Sequence, residues 1–116
     1  MNQCRASIES IASLEDGWHD GVGRAVTQSA VMAAETLLST RPRLAGSYHI
    51  YPTEMGGILF EFMHAGWDYS IEAGPNGEIE IFGVQVDGPN ELDTKVFPSM
   101  NEDALKCLDG LNGGDQ

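Results

Sequence analysis

The sequence predicts an α+β fold: an antiparallel meander of four or five strands, with one central helix and a terminal helix packed on one face of the sheet. Three observations lead to this fold class. Apolar residues recur with a helical period over residues 27–40, they alternate with polar residues over residues 67–72, and turn residues separate the strand candidates. The 116 residues, 41% of them hydrophobic, suit one domain spanning residues 1–116, with a loose tail at about residues 110–116.

Two helices are predicted before the sheet. Apolar residues at near-helical spacing indicate a short helix over residues 7–15. The glycine-rich segment at residues 16–26 favours turns over any regular element. Thr27 can then cap a central helix that extends to about Thr40, because Pro42 cannot continue the helical hydrogen bonds.

Strands are predicted in the second half of the chain. Residues 48–51 and residues 58–63 should pair as a hairpin across the turn at residues 52–57. Residues 67–72 alternate strictly between apolar and polar side chains, as a half-buried strand requires. This alternation gives the sheet one face in the core and one in solvent. Residues 92–97 add a short edge strand.

The turn at residues 74–77 indicates how the third and fourth strands pair. Pro and Asn suit the first two positions of a type I turn, and Gly77 suits the left-handed position that follows. This three-residue loop places Glu72 opposite Glu80, so that apolar residues meet on one face and carboxylates on the other. A two-residue turn would mix the two faces, and we therefore prefer the first register.

The alternation changes beyond Ile81. Phe82, Val84 and Val86 lie on the opposite parity, which favours either a bulge or twist at Gly83 or a second apolar layer over that face. A homodimer formed through these apolar residues stays an open alternative.

A terminal helix is predicted after the edge strand. Ser99 or Asn101 can cap it, and Glu102 and Asp103 in its first turn favour the positive end of the helix dipole. Gly110 is expected to end it.

The charge of the chain excludes several classes of function. Six Lys and Arg against 18 Asp and Glu give a formal charge of −12, which argues against direct binding to nucleic acid or anionic lipid. No apolar run is long enough to span a membrane, and no secretory signal is visible, so we expect a cytoplasmic protein. Cys4 and Cys107 form no C-x-x-C pattern, and neither a disulfide framework nor a zinc ribbon is expected.

Acidic residues are concentrated in the sheet. Residues 51–116 hold 13 acids and two bases, a net charge of −11. The predicted register puts Asp68, Glu72 and Glu80 on one polar face, and Glu61 and Glu78 join them if the first hairpin has the matching register. Two interpretations stay open. The face imitates a phosphate backbone and binds a basic partner, or it is a solvated surface that prevents aggregation.

The glycine-rich loop holds the densest cluster of functional side chains. Asp16 and Asp20 partly match a calcium loop, but Trp18 stands at its third position and Thr27 at its twelfth, where ligands are needed. Trp18 is therefore interpreted as a structural anchor of the loop. His19 beside the two aspartates keeps a small metal-binding protein open as an alternative, although no metal, cofactor or catalytic set is predicted.

Two segments resemble a loose group of small uncharacterised bacterial and mobile-element proteins. They are Asp16 to Gly23 (DGWHDGVG) and Ile50 to Ile58 (IYPTEMGGI), with the central helix between them. The resemblance spans roughly residues 8–82, and the group brings no activity or catalytic residue to this chain. In size, acidity and lack of an enzyme motif, the chain is also similar to phage-encoded inhibitors such as anti-CRISPR proteins.

The leading hypothesis is a small, acidic, non-enzymatic binding protein. Like an anti-CRISPR inhibitor, it would use the acidic strands of residues 57–82 to block a basic surface on a nucleic-acid-processing complex. The expected partner is a basic protein or nucleoprotein complex. The alternative is an antitoxin or immunity-type protein that neutralises a cognate toxin through aromatic side chains such as Trp18 and Trp67.

Overall fold

The computed structural model describes residues 8–40 and 49–111. Residues 8–12 are helical, and the elements that follow are α1 (Gln28–Thr40), β1 (His49–Pro52), β2 (Ile58–His64), β3 (Trp67–Ala73), β4 (Ile79–Gln85), β5 (Glu91–Phe97) and α2 (Glu102–Leu111). The strands form one antiparallel sheet in the order β1-β2-β3-β4-β5. The predicted α+β meander with a central and a terminal helix is confirmed.

The core lies on one face of this sheet, which we call the inner face. Every second side chain of β2, β3 and β4 is buried there: Ile58, Phe60, Phe62, Tyr69, Ile71, Ala73, Ile79 and Ile81. Apolar side chains from α1, from α2 and from residues 8–12 are buried in the same cluster. The helices therefore cover the inner face, and the strand period of two leaves the alternate side chains on the other side.

Side-chain caps set where both helices begin. Thr27 Oγ1 accepts a hydrogen bond of 3.1 Å from the backbone N–H of Ala30, and Asn101 Oδ1 accepts one of 2.9 Å from Ala104. The Thr27 hydroxyl also donates to the carbonyl of Pro75 at 2.6 Å. The start of α1 is thereby tied to the turn between β3 and β4.

Two predicted helix ends are wrong. The first helix, predicted over residues 7–15, ends at residue 12, because the N–H groups of Ser13 and Leu14 bond three residues back and close it with a tighter turn. The second, α2, continues through Gly110 to Leu111. Open space surrounds Gly110, whose φ is not in the left-handed region, and the position therefore places no stop on the helix.

Some predictions fall outside the described residues. They concern Cys4, residue 7, Pro42, Tyr48 and residues 112–116 of the tail.

The second cysteine, Cys107, is a half-buried free thiol. Burial raises its pKa more than the nearby charge of Lys95 lowers it, which makes the thiol a poor nucleophile.

Among the described helices, none has the length and apolar character needed to cross a membrane.

The turn between β3 and β4 has the predicted form. The N–H of Gly77 donates to the carbonyl of Gly74 at 2.9 Å, and the N–H of Gly74 donates to the carbonyl of Glu78 at 2.8 Å. Gly77 has a φ of +87°, which favours glycine. The resulting register places Glu72 opposite Glu80, as predicted.

Gly83 combines a bulge with a close aromatic contact. The pairing of β4 with β5 shifts between Ile81 and Gly83, which confirms the predicted irregularity. Gly83 also lies opposite Tyr69, and a Cβ at this position would come within 2.6 Å of a ring carbon of that tyrosine. The Tyr69 ring also stacks on Trp67 at 6.1 Å and contacts Phe62 at 5.2 Å between ring centroids. A side chain at position 83 would therefore have to displace a ring that is packed against two others.

We expect Gly83→Ala to lower the free energy of unfolding by about 1–3 kcal/mol, because the new methyl group overlaps the Tyr69 ring, which must shift against Phe62 and Trp67. Chemical denaturation measures the loss. Gly110→Ala is the matched control: it adds the same methyl group in open space within a helix, and should raise stability by up to about 1 kcal/mol. Equal stability of the wild type and the Gly83 variant would contradict the packing at Tyr69.

Candidate protein-binding face

The face of the sheet opposite the helices is the candidate site, and we call it the outer face. Its residues follow from the strand registers: His49, Tyr51, Leu59, Glu61, Met63, Asp68, Ser70, Glu72, Glu80, Phe82, Val84, Glu91, Thr94 and Val96. These side chains are exposed or half-buried, in contrast to their buried neighbours along β2, β3 and β4. The outer face is a mixed surface, since five carboxylates lie among six larger apolar side chains.

Glu72 and Glu80 form the centre of one row across the sheet. Leu59 lies opposite Glu72 on one side, and Val96 lies opposite Glu80 on the other. Directly opposed side chains in an antiparallel pair have Cβ atoms about 4.5–5.5 Å apart, so the two carboxylates repel each other. Burial raises the pKa of Glu72, and the charge of Glu80 raises it further.

The other predicted binding residues lie around this pair. Glu61 lies opposite Ser70, and this register of the first hairpin puts Glu61 on the outer face. Asp68 lies in a further row, opposite Met63. Glu78 is exposed just before β4, where its carbonyl closes the turn, so it adds charge at the end of the face.

The outer-face carboxylates have no cation beside them within the described part of the chain. Glu61, Asp68, Glu72 and Glu80 form no ion pair with another described residue. Lys95, the one lysine or arginine in the five described strands, lies opposite Ile81 and thus on the parity of the inner face, and His49 lies opposite Glu61. Among the described residues no ion pair offsets the repulsion at this surface, which solvent and salt screen.

Sequence reasoning found the parity of Phe82 and Val84 but missed other apolar side chains of the outer face. Tyr51, Met63 and Val96 have 46%, 64% and 54% of their surfaces exposed. It also missed Glu91, which lies opposite Val84. The parity of Val84 was a signal for this composition, but the pairing of the two edge strands depends on turns and on a bulge whose partner residues in β5 the sequence does not give.

Two shallow grooves cross the outer face. The larger, with a volume of about 380 Å³, is lined by Leu59, Ser70, Glu72, Glu80, Phe82 and Thr94. The smaller, of about 290 Å³, is lined by His49, Glu61, Phe62, Met63 and Asp68. Each groove combines carboxylates with apolar walls, a lining that suits a cationic group carried on an apolar stem.

The glycine-rich loop folds into a small hairpin away from this face. His19 and Val22 exchange backbone hydrogen bonds of 2.8 and 2.9 Å around Asp20 and Gly21, both of which have positive φ. Trp18 is half-buried, and its indole N–H donates to the carbonyl of Arg24 at 2.9 Å. The Trp18 side chain thus closes the base of this small hairpin.

Asp16 and His19 of the loop have separate partners. Asp16 Oδ1 accepts a hydrogen bond of 2.8 Å from the N–H of Ala25, and His19 Nδ1 lies 2.6 Å from Glu54 Oε2. Within residues 8–40 and 49–111, no three His, Cys, Asp or Glu side chains are grouped in a way that could hold a metal ion. The loop is instead joined to the turn between β1 and β2, since the backbone N–H of Arg24 donates a hydrogen bond to the carbonyl of Glu54.

Comparisons of the chain with protein-family models, with curated proteins and with solved structures found no match. The case for a function therefore depends on the geometry of the outer face.

The raised pKa of Glu72 predicts a pH dependence of stability. Because the folded state holds this proton more tightly than the unfolded chain, the contribution of Glu72 is present below its ordinary pKa of 4.5 and is lost as the pH rises through the higher folded-state value. We expect Glu72→Gln to raise the free energy of unfolding at neutral pH by about 0.2–1 kcal/mol, a range reduced by solvent screening.

Denaturation at several pH values checks this expectation. Glu72→Gln should flatten the fall in stability above pH 4.5, since it removes the titrating group. Glu35→Gln is the charge-matched control on the exposed side of α1, and it should leave that fall in place. A loss of stability in Glu72→Gln at neutral pH would show that the carboxylate makes a favourable contact and would contradict the repulsion.

Proposed function

We propose that this chain is a small non-enzymatic binding protein whose outer face blocks a basic surface on a nucleic-acid-processing complex, as an anti-CRISPR-like inhibitor does. One observation carries the proposal: Glu61, Asp68, Glu72 and Glu80 share one open sheet face without a described cation beside them. The proposed partner is a basic protein or nucleoprotein complex, met in the cytoplasm.

The physical basis is the repulsion between these carboxylates. Groups a few ångströms apart lie well within the Debye length of about 8 Å at physiological salt, so much of their repulsion persists. A cationic surface placed over them replaces repulsion with attraction. Such a surface also steers the encounter, and the rate of association falls as salt is added.

The apolar side chains of the outer face support a protein partner. Leu59, Phe82 and Val84 are half-buried, whereas Tyr51 and Met63 are largely open to solvent. Stable protein interfaces combine an apolar centre with charged and polar groups. Affinity from this surface would therefore have an apolar component that resists salt, in addition to a charge component that does not.

The resemblance to small mobile-element proteins and the compositional similarity to phage inhibitors are in keeping with this proposal. Both groups contain short chains without an enzyme motif. The resemblance adds no binding residue, so the assignment of Glu61, Asp68, Glu72, Glu78 and Glu80 to the interface depends on their positions on and beside β2, β3 and β4.

A second candidate function is an antitoxin or immunity-type protein. The observation that favours it is the exposure of Tyr51, Met63 and Val96 on the outer face, which gives a partner apolar contacts that salt does not weaken. Trp67 supports it less, because its ring is half-buried and stacked on Tyr69.

Charge reversal tests the leading proposal. Tagged wild type and the Glu72→Lys/Glu80→Lys double variant are used to capture partners from a lysate of the native host, with washes at low and high salt and identification by mass spectrometry. The affinity for the purified partner is then measured. We expect the double variant to lose at least about tenfold in affinity, since each close charge pair across an interface contributes more than about 1.4 kcal/mol.

The matched control is Glu35→Lys/Asp103→Lys, which makes the same charge change at exposed positions on α1 and α2. It should retain the affinity of the wild type. Duplex DNA or RNA should compete with the wild type for a partner whose nucleic-acid site is covered. Unchanged affinity of the double variant would contradict the proposed face, and a partner retained in high salt without competition would favour the antitoxin function.

A further inference from the structure

We infer that the larger groove of the outer face receives an arginine side chain of the basic partner. The inference rests on the proposed function and names the group that the partner inserts. The groove is a place where two carboxylates, two hydroxyl groups and two apolar walls meet over about 380 Å³.

The strand register brings four of the groove residues into a square. Glu72 lies opposite Glu80, and Ser70 lies opposite Phe82 in the adjacent row of the same face. Residues two apart on a strand are separated by about 6.6 Å, so a cation placed between the carboxylates is close to the Phe82 ring. In this position the two carboxylates bind the cation, and the Phe82 ring lies beside the cation.

The remaining walls complete the site. Leu59 lies opposite Glu72 and forms an apolar side. Thr94 lines the opposite side, where the register shift in the pairing of β4 with β5 lies around Phe82. The groove therefore offers hydroxyl oxygens from both Ser70 and Thr94 to a ligand with several N–H donors.

Electrostatics favours a cation in this groove. Glu72 and Glu80 lie directly opposite each other and repel, and the pKa of Glu72 is raised first by partial burial and second by the charge of Glu80. A guanidinium group can bond both carboxylates at once, because its donors form a planar fork. Binding thus removes an unfavourable contact of the free protein while it forms favourable ones.

The groove favours arginine over lysine. A guanidinium group is more weakly hydrated than an ammonium group, and it stacks on aromatic rings. Phe82 and Leu59 supply the apolar surface against which the guanidinium plane and the methylene stem can pack. Lysine offers a compact, strongly hydrated charge that gains less from these walls.

Two other occupants fit less well. A metal ion would find only two carboxylates here, and the described residues contain no group of three metal-binding side chains. A second copy docked face to face would place Glu72 and Glu80 against an identical acidic surface, because a two-fold contact uses the same patch on both copies.

The test uses two defined probes, a hexa-arginine peptide and a hexa-lysine peptide of equal charge, titrated into the isotope-labelled protein and followed by NMR. We expect hexa-arginine to bind about two- to fivefold more tightly, as an exposed cation–π contact allows. The largest shifts should fall on Glu72, Glu80, Phe82 and Thr94.

Two variants separate the contributions. Phe82→Leu keeps an apolar wall without the ring and should bring the two peptides to equal affinity. Glu72→Gln/Glu80→Gln should weaken both peptides by at least about fivefold, and it removes repulsion, so it is expected to stay folded. The control variant Glu35→Gln/Asp103→Gln removes the same two charges from the helices and should leave both affinities unchanged.

The outcomes distinguish this inference from the proposed function. Equal binding of both peptides across the outer face, with no effect of Phe82→Leu, would overturn the arginine site and leave the basic-partner proposal in place. Shifts spread over all acidic residues, including Asp103 on α2, would overturn the arginine site and count against the outer face as the binding surface.

Discussion

The structure depends on the register between β3 and β4. A slip of one residue would expose Ile79 and Ile81 and turn carboxylates into the core, which the apolar packing of the inner face does not permit. The same register necessarily sets Glu72 opposite Glu80. Burial of apolar side chains on the inner face thus forces two carboxylates together on the outer face. The fold tolerates their repulsion because apolar burial stabilises the folded state by more than the repulsion destabilises it.

The remaining features support this one-sided sheet. All described helical segments contribute to the core on the inner face. Hydrogen bonds hold the turns at the strand ends: the Thr27 hydroxyl donates to the carbonyl of Pro75, and the N–H of Arg24 donates to the carbonyl of Glu54. The outer face is left to carboxylates, hydroxyl groups and half-buried apolar side chains. This composition is the basis of the proposal that the outer face binds a cationic, partly apolar protein surface.

Much of the fold could be predicted because its signals are local. Strict alternation over β3, the turn ending at Gly77 and the cap at Thr27 each determine their own geometry. The outer face could be predicted only in part, because its composition depends on which strands meet. Glu72 and Glu80 are joined by one short turn, whereas Glu91 and Val96 share the face because of a register shift near Gly83. The sequence indicates that irregularity but not which residues of β5 it brings to the face.

The central claim is that the carboxylates of the outer face repel each other in the free protein and are relieved by a basic partner. The most direct measurement is an NMR titration of the Glu72 side-chain carboxyl, with and without saturating hexa-arginine peptide. The account predicts a pKa above the ordinary 4.5 in the free protein and a lower pKa in the complex. An ordinary pKa in the free protein, or one that the peptide leaves unchanged, would contradict it.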